Sequence, residues 1–186
     1  IHTGDIMIVN SHNDWDPLEE IIVGHAHHSR IATDISARSF SYANFPKEDV
    51  EKLEGTYPQW VIDEANEDAD GLAKALEDLG VIVHRPKVID WDKKNYDIGQ
   101  GWNTKGWYSW CPRDLILPLG DMLIETPTPV RARYFETRLY EDIMYEAFED
   151  GALWFSAPKP KLHDDMYTFE DIENKPTLLD HEICFD

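Results

Sequence analysis

The chain has 186 residues, of which 42% are hydrophobic and 12% aromatic, and it carries a formal net charge of −20. That apolar fraction is enough to build a core and argues against disorder. The excess of carboxylates argues against nucleic acid and anionic membranes as partners, since both are polyanions held by Lys and Arg. No apolar run approaches the ~20 residues that span a bilayer. Two cysteines exclude a disulfide-rich secreted scaffold, so we expect a cytoplasmic protein.

The first part of the chain is predicted to contain three strands and one long helix. Short apolar runs predict strands at residues 6–9 and 20–24, separated by a polar turn. A helix is predicted over 61–79, because its apolar residues recur in steps of three and four. These residues are Ile62, Ala65, Ala69, Leu72, Leu76 and Leu79. A buried strand follows at 81–83, whereas residues 25–58 lack periodicity and are predicted to be irregular.

The same order of elements then recurs. Apolar runs predict strands at 114–117 and 122–125, with a glycine turn between them. A helix is predicted over 131–149 and a strand at 153–155. The predicted apolar face of that helix consists of Phe135, Leu139, Ile143, Ala147 and Phe148.

The order strand, strand, helix, strand therefore occurs twice, which indicates an internal structural repeat and an α/β fold. We place unit one at about residues 1–90, unit two at about 110–158 and the start of unit three at about 181–186. Small units of this kind cannot bury their faces alone. They are expected to stack or to close into a ring.

Two aspartates are candidates for holding a planar cation. Asp114 lies at the start of an apolar strand, and Asp186 is the last residue of the chain. A guanidinium group is held best by carboxylates that accept paired hydrogen bonds. The alternative for Asp114 is structural: it caps a turn or pairs with the adjacent Arg113, and local chemistry by itself favours that alternative. Asp186 is uninformative when taken alone.

The two cysteines are weaker candidates. Cys111 and Cys184 each lie shortly before an aspartate. A nearby carboxylate raises the pKa of a thiol, which argues against either residue as a nucleophile. Buried structural cysteines are the favoured interpretation.

Histidines and aromatic residues supply two further candidate sites. A histidine cluster with a nearby carboxylate could bind a transition metal, although a polar loop is the favoured alternative. Its members are His25, His27, His28 and Asp34. An aromatic-rich stretch could line a ligand pocket, although packing under a long loop is the more ordinary explanation. It contains Trp102, Trp107, Tyr108 and Trp110.

Several motifs follow one another in an order and spacing typical of one enzyme family. They are residues 11–24 (SHNDWDPLEEIIVG), 85–86 (RP), 89–91 (IDW), 112–114 (PRD), 131–136 (RARYFE), 157–160 (APKP) and 184–186 (CFD). Together they resemble the amidinotransferases of the glycine amidinotransferase type. The first motif is specific, whereas the shorter ones would be weak alone.

The resemblance implies a pentein-type β/α propeller, in which five strand-strand-helix-strand units close around a central site. About two of the five would be present here. Asp114 matches the family aspartate that binds the guanidinium of L-arginine. Asp186 matches the carboxylate that orients the catalytic histidine, which would lie beyond this chain, as would the nucleophilic cysteine. Neither a metal nor an organic cofactor is implied.

The function implied is transfer of the amidino group of L-arginine to an acceptor amine through a Cys-amidino intermediate. The chain would supply the carboxylate half of the site. It would need the missing C-terminal part of the same protein as its partner and would be inactive alone. The sequence leaves undecided whether the protein forms a homodimer. It also leaves the acceptor amine undecided, since relatives use glycine, an aminocyclitol such as an inosamine, or a precursor amine of a toxin or antibiotic. The alternatives are a guanidine-group hydrolase resembling arginine deiminase, and a truncated noncatalytic binding protein.

Overall fold

The structure, a computed structural model, describes residues 9–42 and 44–167. Its helices and strands are, in chain order, β1 (Glu20–Ile22), β2 (Arg30–Ile31), α1 (Ile35–Ser41), α2 (Lys47–Glu51), β3 (Gly55–Thr56), α3 (Gln59–Asp78), β4 (Ile82–His84), β5 (Tyr96–Asp97), β6 (Asn103–Thr104), β7 (Ile116–Leu119), β8 (Met122–Glu125), α4 (Glu141–Glu149) and β9 (Leu153–Ser156). The architecture is mixed α/β, as the alternation of apolar runs predicted. Among the described residues, no helix is both long enough and apolar enough to cross a membrane.

Unit one contains a parallel strand pair joined by a helix. β1 pairs with β4 in the register Ile21↔Val83, and α3 makes the connection between them. A parallel pair requires such a crossover, because a tight turn can join only antiparallel strands. The predicted strands at 20–24 and 81–83 and the helix at 61–79 are therefore confirmed. Of the predicted strand at 6–9, only Val9 lies within the described residues.

Unit two repeats this pattern, and its sheet contains one more strand among the described residues. β7 and β8 are antiparallel and are joined at Gly120, whose φ of 61° lies in the left-handed region that favours glycine. β9 then pairs in parallel with β8, and α4 connects them. The three predicted strands of unit two are thus confirmed, whereas the unit boundaries and the count of five units stay predictions.

The two units share a core. One face of the β7-β8-β9 sheet packs on α4 and the segment before it, through Ile116, Leu123, Leu139, Tyr140, Met144, Ala147 and Ala152, with Trp91 beside them. Val9 and Ile22 of unit one pack against this cluster from outside. Lys87, just after β4, adds hydrogen bonds of 3.3 Å to each of Glu141 and Asp142 at the start of α4. Unit one is therefore held against the helix side of unit two.

The predicted helix at 131–149 is wrong in its first half. Residues Arg131–Arg133 and Glu136–Leu139 form 3₁₀ turns, and α4 begins only at Glu141. Arg131 and Arg133 are both buried and bind different partners. On an α-helix, residues two apart point about 200° from each other, so a regular helix could not bury both on one side.

Two smaller expectations also fail. Residues 25–58 are not irregular, because they contain α1, α2 and the antiparallel pair of β2 and β3. The expected apolar stripe of α3 is only partly buried. Ile62 and Ala73 lie inside, whereas Leu72 and Leu79 are 53% and 81% exposed. On α4, Phe148 is likewise exposed, and Met144 is buried instead.

Candidate active site

Asp114 lies at the end of a short turn that leads into β7. The 3₁₀ turn Pro112–Asp114 begins with proline, whose fixed φ suits the first position of a helical turn. The hydroxyl of Thr126, just after β8, donates a hydrogen bond of 2.8 Å to the backbone oxygen of Asp114. The aspartate therefore lies just before β7. The strand predicted at 114–117 had included it, and the observed strand does not. Its side chain is 23% exposed and so remains accessible to solvent.

The partner of the Asp114 carboxylate is Arg133. Arg133 Nη1 donates to Asp114 Oδ2 at 2.7 Å, whereas Arg113 Nε approaches Oδ1 only to 4.0 Å. The structural alternative considered for Asp114 is thus partly correct, because the carboxylate does pair with an arginine of this chain. The arginine is Arg133, nineteen positions further along the chain, and not the adjacent Arg113.

Arg133 is held in turn by Glu136. Its Nε and Nη2 donate to the two carboxylate oxygens of Glu136 at 2.7 and 3.1 Å, which is the paired geometry that a guanidinium prefers. Nη2 also donates to the backbone oxygen of Cys111 at 3.1 Å. The ring of Tyr108 lies 5.0 Å from the guanidinium carbon. Arg133 and Glu136 are both almost fully buried.

Arg133 stays charged although it is buried. Burial by itself would lower the pKa of Arg133, but attraction and hydrogen bonds to Glu136, with a hydrogen bond to Asp114, raise it overall. Arg133 is therefore always charged. Among the described residues, Arg133 lies between Glu136 and Asp114, and Arg113 is a further, exposed cation 4.0 Å from Asp114. Asp114 is the solvent-accessible carboxylate of this group.

Unit one fixes the segment that precedes Asp114. A Cβ on Gly24 would overlap the backbone oxygen of Ser109 and approach Trp110 Cα to 2.5 Å, so only glycine allows these segments to lie this close. His25 is buried beside them, and its Nδ1 lies 3.1 Å from Ser109 Oγ. The buried hydroxyl of Tyr140 donates to the backbone oxygen of Ser109. The motif at 11–24 thus has a structural use: it positions the chain that carries Asp114.

The other candidate residues do not form a second site. His25 is buried, whereas His27 and His28 are exposed, and Asp34 caps α1 by accepting hydrogen bonds from the backbone of that helix. Within the described part of the chain, no three His, Cys, Asp or Glu residues converge to hold a metal ion. Cys111 is half-buried. Cys184 and Asp186 lie outside the described residues.

The aromatic-rich stretch serves mainly for packing. Trp102 and Trp107 are buried in two small core clusters. Tyr108 stacks on Trp110, with ring centres 4.7 Å apart, and it also contacts the ring of Trp107 and the guanidinium of Arg133. Tyr108 is thus part of the candidate site, although it supports an arginine and does not line a pocket.

Neither of two cavities on the described part of the chain is lined by Asp114. A shallow depression beside it is lined by Leu115, Thr126, Tyr134 and Lys159, among others, and has essentially no room for a water-sized molecule. A larger open cleft of about 450 Å³ lies elsewhere, between Arg30, Glu54 and Lys105. Asp114 does not line that cleft, so the cleft is separate from the buried ion pair.

Sequence reasoning missed Arg133 and Glu136 as site residues. Both were noted only as letters of a motif. The available signal was a cation and a carboxylate three positions apart inside the predicted helix, a spacing at which helical side chains can meet. That spacing did not indicate that Asp114 would complete the group.

Comparisons with known proteins agree with this fold. The chain is 40% identical over 182 residues to inosamine-phosphate amidinotransferase 1 of Streptomyces griseus, covering 96% of the chain and 51% of that protein. It is 35% identical over 195 residues to the mitochondrial glycine amidinotransferase of Xenopus laevis, covering 96% and 45%. A solved amidinotransferase structure from Microseira wollei, of the saxitoxin biosynthetic pathway, superposes with a TM-score of 0.82 at 32% identity, covering 96% and 50%. No protein-family model matches the chain.

The fold and motifs thus place the chain among α/β proteins whose structural neighbours are amidinotransferases. The chain belongs to the amidinotransferase family. It spans about half the length of the curated relatives it matches.

Proposed function

We propose that these residues form the guanidinium-binding part of an amidinotransferase that takes its amidino group from L-arginine. The observation that carries the proposal is the accessible carboxylate of Asp114. It is held by the buried pair of Arg133 and Glu136, in a chain that superposes on an amidinotransferase at a TM-score of 0.82.

The chemistry of the group fits this role. Arg133 shares its charge between Glu136 and Asp114, so the negative charge of Asp114 is only partly offset and can attract a guanidinium from solution. Arg133 occupies Oδ2, whereas Oδ1 has only the distant and exposed Arg113 among the described residues. Oδ1 can therefore accept a hydrogen bond from the substrate, and the fixed carboxylate would hold the guanidinium plane in one orientation.

The reaction proposed is covalent. A cysteine thiolate attacks the guanidinium carbon, and the carbon–nitrogen bond to the ornithine side chain breaks. A histidine donates a proton to the departing amine and later takes one from the acceptor amine, which displaces the thiolate. Asp186, which lies outside the described residues, is proposed to orient that histidine, and neither metal nor organic cofactor takes part.

Because the nucleophile and this histidine are assigned to later motifs, we propose that the 186 residues do not turn over substrate without the remaining part of the protein. A cytoplasmic location stays part of the proposal, supported by the low cysteine content.

The test is the Asp114→Asn substitution in the protein of natural length. Asp121→Asn, an exposed carboxylate in the turn after β7, is the matched control. Removing a charged hydrogen-bond partner costs about 1.5–3 kcal/mol, which corresponds to roughly a 10- to 150-fold lower kcat/KM for arginine. We expect that loss for Asp114→Asn and no change for Asp121→Asn.

The products decide the reaction type. Arginine labelled in the guanidino carbon is incubated with glycine, an inosamine phosphate or no acceptor, and products are separated by mass. Label in the acceptor together with ornithine supports the transferase. Citrulline without a labelled acceptor would identify the hydrolase, and unchanged arginine kinetics in Asp114→Asn would remove Asp114 from the site.

A further inference from the structure

The open cleft of about 450 Å³ has a lining that is almost entirely polar and that carries charges of both signs. A volume of this size is typical of sites that hold small molecules. Residues of β2 and the end of α2 line the cleft together with residues of β6 and its neighbours. None of the lining residues belongs to the candidate active site, so the cleft is a separate place on the molecule.

The cationic side of the cleft consists of Arg30 and Lys105. Arg30 is only 4% exposed, and its Nε lies 3.3 Å from Asp92 Oδ1, which fixes the guanidinium. Within the described residues, the two terminal nitrogens of Arg30 make no hydrogen bond, and Nη2 has only an ion-pair contact of 3.7 Å with Glu54. Lys105 has no hydrogen bond or ion pair in that part of the chain. A fixed guanidinium with free donors is well suited to bind a carboxylate.

The acidic side of the same cleft consists of Asp34, Glu51 and Glu54. Oδ1 of Asp34 accepts the hydrogen bonds that cap α1, whereas Oδ2 accepts none from the described residues. Glu51 is exposed, and its nearest cation is Lys47 at 3.5 Å. A purely anionic ligand would therefore be repelled by three carboxylates, and a purely cationic ligand by two cations. A small molecule with one charge of each sign can satisfy both sides.

We propose that this cleft binds an α-amino acid with a polar, uncharged side chain. The carboxylate of the ligand binds the cationic side of the cleft, and its ammonium group binds the acidic side. The rest of the lining suits such a side chain. It includes the amides of Asn95 and Asn103, neither of which has a hydrogen-bond partner in the described part of the chain. Because an amide both donates and accepts, it can bind another amide.

The experiment is equilibrium dialysis of radiolabelled L-glutamine with the protein of natural length. L-Glutamine carries both charges and an amide, but no guanidinium. Lys105→Gln and Glu51→Gln each remove one charge from the cleft at an exposed position. Lys94→Gln and Glu48→Gln remove the same charges at exposed positions outside it and are the matched controls. We expect roughly tenfold weaker binding for each cleft variant, because one charged hydrogen bond is lost. The controls should bind as the unsubstituted protein does.

Two analogues test the two charges of the ligand separately. L-Glutamine amide lacks the carboxylate, and N-acetyl-L-glutamine lacks the ammonium group. Each should bind at least about tenfold more weakly than L-glutamine, for the same reason. Because the readout is the binding of a ligand without a guanidinium, the result does not depend on the proposed reaction.

Three results would overturn the proposal. The first is the absence of saturable L-glutamine binding to the unsubstituted protein. The second is equal binding by Lys105→Gln and Lys94→Gln, which would place the ligand outside this cleft. The third is binding of N-acetyl-L-glutamine as tightly as L-glutamine, which would show that the cleft recognises an anion and not an amino acid.

Discussion

Replacing Arg133 with Met is expected to destabilise the fold strongly. Arg133 donates two hydrogen bonds to Glu136, one to Asp114 and one to the backbone oxygen of Cys111. Met keeps much of the side-chain volume but removes the positive charge. Glu136 is only 1% exposed, so water cannot replace that counter-charge. Removing one partner of a buried ion pair typically costs about 3–5 kcal/mol, and we expect Arg133→Met to lose stability in that range.

Urea unfolding followed by tryptophan fluorescence measures this loss. Arg113→Met is the matched control, because Arg113 is the other arginine near Asp114 but its side chain is 93% exposed. The control should change stability by less than about 0.5 kcal/mol. The double substitution Arg133→Met with Glu136→Leu should recover much of the loss, since an apolar pair can replace a buried ion pair. A loss below about 1 kcal/mol for Arg133→Met, or a double variant as unstable as the sum of both single variants, would refute the reasoning.

Two further predictions concern the segment that positions Asp114. Gly24→Ala should lower the free energy of unfolding by about 1–3 kcal/mol, because its Cβ would displace the backbone of Ser109 and Trp110; a melting temperature equal to wild type would contradict this. Burial, ahead of the other causes, lowers the pKa of His25 from 6.5 to about 4. His25 Nδ1 accepts a hydrogen bond from the backbone N–H of His27, so protonating Nδ1 would place two hydrogen-bond donors against each other. His25 should therefore contribute up to about 3 kcal/mol of stability that is full above pH 6.5 and lost as pH falls towards 4. His25→Gln should flatten that dependence in urea unfolding at pH 5 and 7, whereas the exposed His12→Gln should leave it unchanged.

The strands and the long helix could be predicted from the sequence because their signals are local. The apolar run at 122–125 and the glycine after α3 depend only on neighbouring residues, and the structure places β8 and the end of α3 there. The same local rule failed at Arg131–Arg133. There the periodicity suggested a helix, but Arg131 binds Leu162 and Asp164, and Arg133 binds Asp114. Contacts with distant segments outweighed the local preference.

The candidate site could be predicted only in part. Asp114 was identified through the resemblance of its motif, whereas local chemistry favoured Arg113 as its partner. Arg133 and Glu136 were not predicted, because nothing in their spacing indicates that Asp114 lies beside them. Asp186 stays a prediction, since it lies outside the described residues.

The sequence by itself determined the family, the α/β class and the repeated order of strands and helix, because motifs and hydrophobic periods are properties of short stretches. Tertiary structure alone decided which cation neutralises Glu136, which carboxylate stays accessible, and which charged side chains line the open cleft. Those outcomes depend on which segments meet in space. In a folded chain, burial and charge pairing between distant residues have larger free energies than any local preference.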